Sequence, residues 1–209
     1  MKRTQRKAYS RKAQELIKRF SDILFSLAGI LLLAPLWLLI GIGVRGNISG
    51  SVLFRQKRTG WKNRPFQILK FRTMHKDPSA EADCNGEEDP GRTPPFGRWL
   101  RRTKLDEAPQ LINVLFGDMS LVGPRPYVEM QSAPLDPARL MMRPGMTGLA
   151  QVYGNSSLSW EERTQYDLYY HSHFSIRLDI RILLQTGKVL LFGESRCVKH
   201  FEDFLKENP

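Results

Sequence analysis

From Ile23 to Val44 the chain reads ILFSLAGILLLAPLWLLIGIGV, 22 residues without a charge. At about 1.5 Å per residue this stretch is long enough to cross a hydrocarbon core of roughly 30 Å, which places it in lipid. It is longer than the apolar region of a secretory signal, about 7–15 residues, and a long polar stretch precedes it. A single-pass anchor keeps its Lys and Arg mainly on the cytoplasmic flank. Here both flanks are basic: Lys2, Arg3, Arg6, Lys7, Arg11, Lys12, Lys18 and Arg19 come before the run, and Arg45, Arg55, Lys57, Arg58, Lys62 and Arg64 after it. Pro35, near the middle, predicts a kink that frees backbone carbonyls around Leu31 and Leu32. Two readings fit. A re-entrant helical hairpin, entering and leaving on one side, accounts for the double basic flank, while a spanning helix also tolerates a proline kink. Ser26 is the candidate partner for the freed carbonyls.

Beyond the apolar run the periodicity shortens. Ser51 to Phe54 and Phe66 to Phe71 read as short strands, split by the turn-like Thr59-Gly60 and Asn63-Arg64-Pro65. Residues 76–95, KDPSAEADCNGEEDPGRTPP, are rich in Asp, Glu, Gly and Pro and predict a mobile surface loop. Pro109 belongs in the first turn of a helix that continues through Leu115 and stops at Gly117. Near the C-terminus, Ile176, Ile180, Leu183, Leu184 and Leu190 alternate with Arg177, Asp179, Arg181 and Lys188 at helical spacing. Packing of that apolar stripe on the core is the first expectation, and an interfacial helix lying on the membrane is the second. The chain thus divides into a basic segment (1–22), a membrane segment (23–44) and a remainder (45–209) sized for one cored domain.

Composition narrows the partners. The 209 residues hold 32 Lys+Arg against 21 Asp+Glu, a formal charge of +11, which favours a polyanion: nucleic acid, anionic lipid or a phosphorylated substrate. A membrane-tethered nucleic-acid binder would explain the basic N-terminus, but it leaves the apolar run and the acidic pair below without a purpose, and no recognised nucleic-acid motif is present. Cys84 and Cys197 lack the paired spacing of a zinc site, so no structural metal is expected; a reducing cytoplasmic setting fits them.

Asp106 and Glu107 are adjacent carboxylates just ahead of the predicted Pro109 helix, with Arg98, Arg101, Arg102 and Lys104 close upstream. Acidic residues at a helix start complement its dipole and pair with nearby arginines, which is one sufficient explanation. The chemical alternative is that one carboxylate attacks phosphorus while the other holds a metal ion against diphosphate oxygens. Lys70-Phe71-Arg72 at the end of a predicted strand, and Arg125 between the prolines of Gly123-Pro124-Arg125-Pro126, would supply the cations for such a site. His171 and His173 are read as surface or packing residues.

Taken together, LFRQKRTG (53–60), KFRTM (70–74), LRRTKLDEAPQLINVLFGDMSLVGPRP (100–126) and RPGMTGLAQVYG (143–154) resemble the monotopic phosphoglycosyl transferases of the bacterial sugar transferase family. The long middle block is the specific one. The resemblance implies an α+β, mostly helical fold: a re-entrant membrane helix hairpin carrying a small cytosolic α/β catalytic unit, with amphipathic helices at the interface. It places the protein at the bacterial inner membrane, with the catalytic part on the cytoplasmic face. The implied reaction has two steps. Asp106 attacks the β-phosphate of a UDP-sugar and releases UMP, and polyprenyl (undecaprenyl) phosphate then collects the phosphosugar, the first membrane step of polysaccharide assembly.

In that pattern Glu107 takes the Mg2+ role, and Lys70, Arg72, Arg101 and Arg125 bind substrate. A later acidic position falls on Asp167 or Asp179, and the sequence does not choose between them. The resemblance is to the minimal catalytic form; a homodimer is compatible with it, and nothing in the periodicity asks for one. A non-enzymatic scaffold of the same fold is the alternative, and the intact dyad with Lys70 and Arg125 speaks against it. The chain departs from the pattern at Ala34, where Ser commonly precedes the proline, and at Ala108 in place of Leu. It departs again at Gln151-Val152-Tyr153-Gly154-Asn155, where QVNGR is common. If this last segment faces the sugar or the uridine, donor preference differs accordingly.

Overall fold

The computed structural model describes residues 2–76, 91–127 and 136–208, so most of the loop expected over 76–95 lies outside the described residues. Helix α1 (Lys2–Asn47) is one continuous helix with Pro35 inside it. It reaches past the apolar run at both ends because the basic flanks are themselves good helix formers. Asp22 and Ser26, then Ile40, Val44 and Ile48, are buried at four-residue spacing and mark the face turned to the protein. Phe25, Leu31, Leu32, Leu38 and Leu39 are exposed on the rest of the surface. Ser26 does not reach the carbonyls near Leu31 and Leu32; its hydroxyl donates to the Ile23 carbonyl one turn back, at 3.1 Å.

The body packs against α1 on both sides of Pro35. On the N-terminal side, the Arg19 guanidinium donates to the carbonyls of Val114 (2.7 Å) and Leu115 (2.9 Å), satisfying the last turn of α3 (Gln110–Phe116). Asp22 accepts from the Ser120 hydroxyl at 2.8 Å and from the Leu121 amide at 3.1 Å. Gly29 lies so close to α3 that a β-carbon there would come within 3.0 Å of Leu111. On the C-terminal side, Ile40, Val44 and Ile48 form a cluster with Phe71 and Leu100, and Trp37 meets Phe71 edge-on, ring centroids 6.1 Å apart.

The strands form two small sheets. Strands β1 (Leu53–Thr59) and β2 (Pro65–Phe71) pair antiparallel, while β3 (Ser120–Val122) pairs parallel with β4 (Gly145–Thr147). β1 runs through the charged LFRQKRT, past the Ser51–Phe54 segment that hydrophobicity alone marks. Its alternation explains why: Phe54, Gln56 and Arg58 share one face, and that face lines a cleft instead of a core. Pro109 caps α3 and Gly117 ends it in the left-handed region at φ 91°, as the sequence predicts.

The remaining helices are α2 (Pro95–Arg102), α4 (Pro137–Leu140), α5 (Leu149–Val152), α6 (Trp160–Ser172), α7 (Ile176–Phe192) and α8 (Phe201–Glu207). α6 starts at a reciprocal capping box between Ser159 and Glu162, and α5 to α8 enclose a core of Leu149, Val152, Tyr166, Tyr170, Ile182 and Phe204. The described chain is mostly helical, with small sheets and one long apolar N-terminal helix.

The apolar stripe of α7 does not pack on that core. Ile180, Leu184 and Leu190 are 54%, 68% and 59% exposed. The inward positions are Asp179, Ile182 and Thr186. Asp179 is held by Lys18 at 2.7 Å and by the Tyr170 hydroxyl at 2.6 Å, and Thr186 shares a 2.8 Å hydrogen bond with Thr147. Ile182 shares the inner side with satisfied polar groups, so periodicity alone chose the wrong face.

Asp22 is the joint between α1 and β3. Asp22→Ala leaves the buried Ser120 hydroxyl and the part-buried Leu121 amide without this acceptor and is expected to lower stability by about 2 kcal/mol. Thermal unfolding in detergent micelles checks this, and Asp22→Asn, which keeps one acceptor, is expected to lose less.

Candidate active site

A cleft of about 750 Å3 opens between the β1–β2 hairpin, α2, the turn that follows α2, and the end of α7. Its predicted residues arrive on four separate segments of the chain. Lys70 is on β2, and Arg72 follows its end. Arg101 is on α2, which lies so close to the preceding segment that a β-carbon at Gly97 would sit 2.0 Å from the Thr73 carbonyl oxygen. That contact brings the Arg101 Nε to the Thr73 hydroxyl at 2.9 Å. Arg125 leaves β3 in the Gly-Pro-Arg-Pro turn, where the backbone of Gly123 nests against Gly145 too tightly for a side chain at either position.

Asp106 and Glu107 stand on a separate 3-10 turn, Leu105–Glu107, three residues ahead of α3, and the turn is entered through Lys104 in the left-handed region at φ 57°. The dyad is therefore not on the first turn of α3. Successive residues of a 3-10 turn point about 120° apart, so the two carboxylates face different neighbours. The Glu107 Oε1 accepts from Lys70 Nζ at 2.6 Å. The Asp106 Oδ1 is buried and has no hydrogen-bond partner.

These surroundings separate the two acids. For Asp106, burial comes first and the Glu107 charge second; together they outweigh Lys70, Arg101 and Lys104 and raise the carboxyl from 3.8 to about 6. For Glu107, burial also works upward, but Lys70, through its charge and its hydrogen bond, together with Arg125 and Lys104, overcomes it and lowers the carboxyl to about 2. One acid is a fixed anion. The other is a basic, weakly held carboxylate.

Lys70, Arg72, Arg101, Asp106, Glu107 and Arg125 all line this one cleft. Asp167 and Asp179 do not. Asp167 is buried in an ion pair with Arg139, where burial raises its carboxyl against the pull of that guanidinium. Asp179 is taken up by Lys18 and Tyr170, so both carboxylates tie helices together at a distance from the substrate space. The His171 carbonyl accepts from Arg11, and His173 stacks on Tyr169 with centroids 4.0 Å apart, in keeping with packing roles.

Sequence reasoning passed over Arg58 and Glu194 as site residues, and both line the cleft together with Asn155, the last residue of the segment whose departure from the pattern bears on donor preference. Arg58 donates to Gln56 at 2.6 Å while its buried Nε has no partner. Burial first, then the charge of Arg125, lowers its guanidinium to about 10, against the pull of Glu107. The signal for it was the polar alternation of β1, legible only once the strand is known to face a cleft.

Among the described residues no three His, Cys, Asp or Glu side chains gather as a metal-binding group. A Mg2+ ion is commonly held by one or two carboxylates, with substrate phosphates and water filling its remaining positions. The orphaned Asp106 Oδ1 beside Glu107 suits that pattern. Lys70 takes only Oε1 of Glu107, so the other oxygen of that carboxylate would hold the ion, in the role the resemblance implies for Glu107, with Asp106 beside it.

A cation-lined cleft around two inequivalent carboxylates, on a body bound along a long apolar helix, has the charge to receive a phosphorylated ligand. The chain belongs to the bacterial sugar transferase family, whose profile matches residues 13–193. It is 40% identical over 192 residues to the UDP-glucose:undecaprenyl-phosphate glucose-1-phosphate transferase of Caulobacter vibrioides, a match covering 87% of this chain and 72% of that protein. It is 38% identical over 196 residues to an undecaprenyl-phosphate glucose phosphotransferase of Komagataeibacter xylinus (85% of this chain, 36% of the relative). It is 36% identical over 186 residues to the UDP-N-acetylgalactosamine-undecaprenyl-phosphate N-acetylgalactosaminephosphotransferase of Aeromonas hydrophila (85% and 44%). The chain thus spans less than half the length of the latter two relatives.

Folding raises the Asp106 carboxyl, so the native state favours its neutral form. Above pH 6 the ionised group weakens the fold, and this penalty fades as the pH falls through 6 and is gone below about 4. Asp106→Asn is neutral throughout. In EDTA it is expected to be more stable than the unmutated protein at pH 8 by about 2 kcal/mol, and no more stable near pH 4, read from denaturation midpoints across pH.

Proposed function

We propose that the protein transfers a sugar phosphate from a UDP-sugar to undecaprenyl phosphate, giving undecaprenyl diphosphate sugar and UMP, with Asp106 as nucleophile. The observation that carries this reading is the unequal partnering of two adjacent acids, Glu107 held by Lys70 at 2.6 Å and the buried Asp106 Oδ1 left without a partner, which drives the first carboxyl down and the second up. Two carboxylates driven apart by their surroundings take different roles. Glu107, pinned by Lys70, is a poor nucleophile. Asp106 is more basic, partly desolvated and free at one oxygen, yet still mostly ionised at neutral pH.

In the first step an Asp106 oxygen forms a bond to the β-phosphorus, and the bond from that phosphorus to the bridging oxygen breaks. UMP leaves with the bonding pair. In the second step an oxygen of the acceptor phosphate attacks the same phosphorus, the Asp106 oxygen departs, and the carboxylate is regenerated. Lys70, Arg58, Arg101 and Arg125 hold the phosphates, and their charge offsets what builds up on the departing UMP. A Mg2+ ion at the dyad would supply further charge neutralisation between the carboxylates and the diphosphate. The names of relatives that use UDP-sugars and undecaprenyl phosphate support both substrates.

The acceptor requires a membrane, and the re-entrant reading of α1 is supported by its contacts. Gly29 meets Leu111 and Trp37 meets Phe71, so anchors to one body stand on both sides of Pro35 with only a few residues between them. A spanning helix of about 20 residues would carry one anchor across the bilayer. The exposed apolar side of α7 would add to the lipid-facing surface, with the catalytic unit on the cytoplasmic face of the inner membrane. This is the opening membrane step of polysaccharide synthesis.

Two experiments test the reading. Purified protein in detergent with Mg2+, undecaprenyl phosphate and a panel of UDP-sugars is expected to release UMP, and Asp106→Asn to lose at least a thousandfold in rate; wild-type rates in that variant would remove Asp106 from the chemistry. In a Cys84→Ser, Cys197→Ser background, cysteines placed at Lys12 and Asn47 are expected to react with a membrane-impermeant maleimide only after the inner membrane is opened. Labelling of either in intact spheroplasts would establish a spanning helix.

A further inference from the structure

The cations of the cleft account for the phosphates of a nucleotide sugar, but not for the sugar itself. One part of the lining has a different chemistry. Asn155 and Ser156, with Gly193 and Glu194 just past α7, bring a neutral amide, a hydroxyl and a carboxylate to the wall of the cleft. Amides and carboxylates are the groups that bind sugar hydroxyls, because each can accept and, for the amide, donate in the plane of neighbouring hydroxyls.

This patch is hydrogen-bonded to the reacting centre from two directions. The Arg125 Nη1 donates to Asn155 Oδ1 at 3.2 Å, the Asn155 amide donates to Glu194 Oε1 at 3.5 Å, and Lys104 Nζ donates to that same oxygen at 2.9 Å. Lys104 stands two residues before Asp106, and Arg125 is close enough to Glu107 to lower its carboxyl. The chain of contacts from Arg125 through Asn155 and Glu194 to Lys104 therefore edges the dyad side of the cleft. The sugar that is transferred is one oxygen away from the phosphorus that Asp106 attacks, so it must lie against whatever borders the dyad.

The backbone is committed to this arrangement. Asn155 (φ 44°) and Lys104 (φ 57°) both occupy the left-handed region, which is costly for a residue with a β-carbon and is often found where a ligand is clamped. Gly154 at φ 140° and Gly193 at φ 87° make the bends that present Asn155 and Glu194.

We propose that Asn155 and Glu194 form the sugar-recognising wall of the cleft and set which UDP-sugar the protein accepts. The assignment rests on the donor reading above and goes beyond it, since it separates the residues that hold the diphosphate from those that read the sugar. Relatives named for glucose and for N-acetylgalactosamine use donors that differ at the second and fourth carbons, positions that such hydrogen bonds can distinguish.

The test measures kcat/KM for UDP-glucose, UDP-galactose, UDP-N-acetylglucosamine and UDP-N-acetylgalactosamine with the unmutated protein, Asn155→Ala and Glu194→Gln, together with the affinity of each for UDP and its thermal unfolding. Each variant is expected to raise KM for the preferred donor and to narrow the preference over the next sugar by about tenfold, while UDP affinity changes less than twofold. An even loss across all four donors, or an unchanged preference, would overturn the assignment and reduce the pair to a support for Arg125. If the unmutated protein turns over none of a wider panel of UDP-sugars, the transfer reaction itself falls, which is a separate outcome from turnover with unaltered selectivity.

Discussion

The Lys70–Glu107 ion pair is the contact on which the chemistry of the cleft depends. Two ionised acids on adjacent residues repel each other, and in a partly buried site one of them must be neutralised by the protein. Lys70 does this for Glu107 from the neighbouring strand, with Arg125 adding charge from the turn after β3. Asp106 is left with an oxygen that nothing in the described protein satisfies. The asymmetry comes from placement, since the two side chains differ by a single methylene. It requires the hairpin, the 3-10 turn and the Gly-Pro-Arg-Pro turn all to be in position, and close backbone approaches hold two of the neighbouring segments, Gly97 against Thr73 after β2, and Gly145 and Gly148 against Gly123 at the start of the Gly-Pro-Arg-Pro turn.

Helix α1 meets two requirements that normally conflict. A segment in lipid presents apolar groups outward, whereas a segment attached to a polar catalytic body needs directional contacts. The helix divides them by face. Lys18, Arg19 and Asp22 form charged hydrogen bonds to α7, α3 and β3, and Ile40, Val44 and Ile48 continue the contact with apolar packing. The basic residues just ahead of the apolar run are thus structural anchors as well as a topological signal. Polar contacts of this kind specify one orientation of the helix on the body, which apolar packing alone would leave free to rotate.

Much of the site could be read in the sequence because its residues are clustered in specific blocks: Lys70, Arg72, Arg101, Asp106, Glu107 and Arg125 come together in one cleft. What escaped depends on tertiary context. The length of β1 was hidden because Gln56 and Arg58 face a cleft, so its alternation looked like a loop. The inward face of α7 was hidden because Asp179 is buried with Lys18 and Tyr170, and a buried acid cannot be told from an exposed one until its partner, more than 150 positions away, is known. The same long-range pairing removes Asp167 and Asp179 from the substrate space, although both are acids in a plausible stretch of sequence. Glu194 acquires meaning only through its contact with Asn155, a residue the sequence already sets apart.

Helix α7 connects these parts. Its first turn is tied to α1 through Asp179 and Lys18, its outer side exposes Ile180, Leu184, Leu190 and Leu191, and its last turn brings Val189 and Leu190 to the cleft just before Glu194. An acceptor with an apolar tail and an anionic head needs a place where a lipid-exposed surface meets a cation-lined cavity. Leu190 belongs to both, being 59% exposed while it lines the cleft. In the proposed reaction, the exposed apolar stripe that would be a liability on a soluble domain would be the surface along which the lipid-borne phosphate approaches Asp106 without its tail having to leave the apolar phase. The cost of withdrawing such a tail, about 0.8 kcal/mol for each CH2 group, makes that continuity a requirement of the proposed reaction.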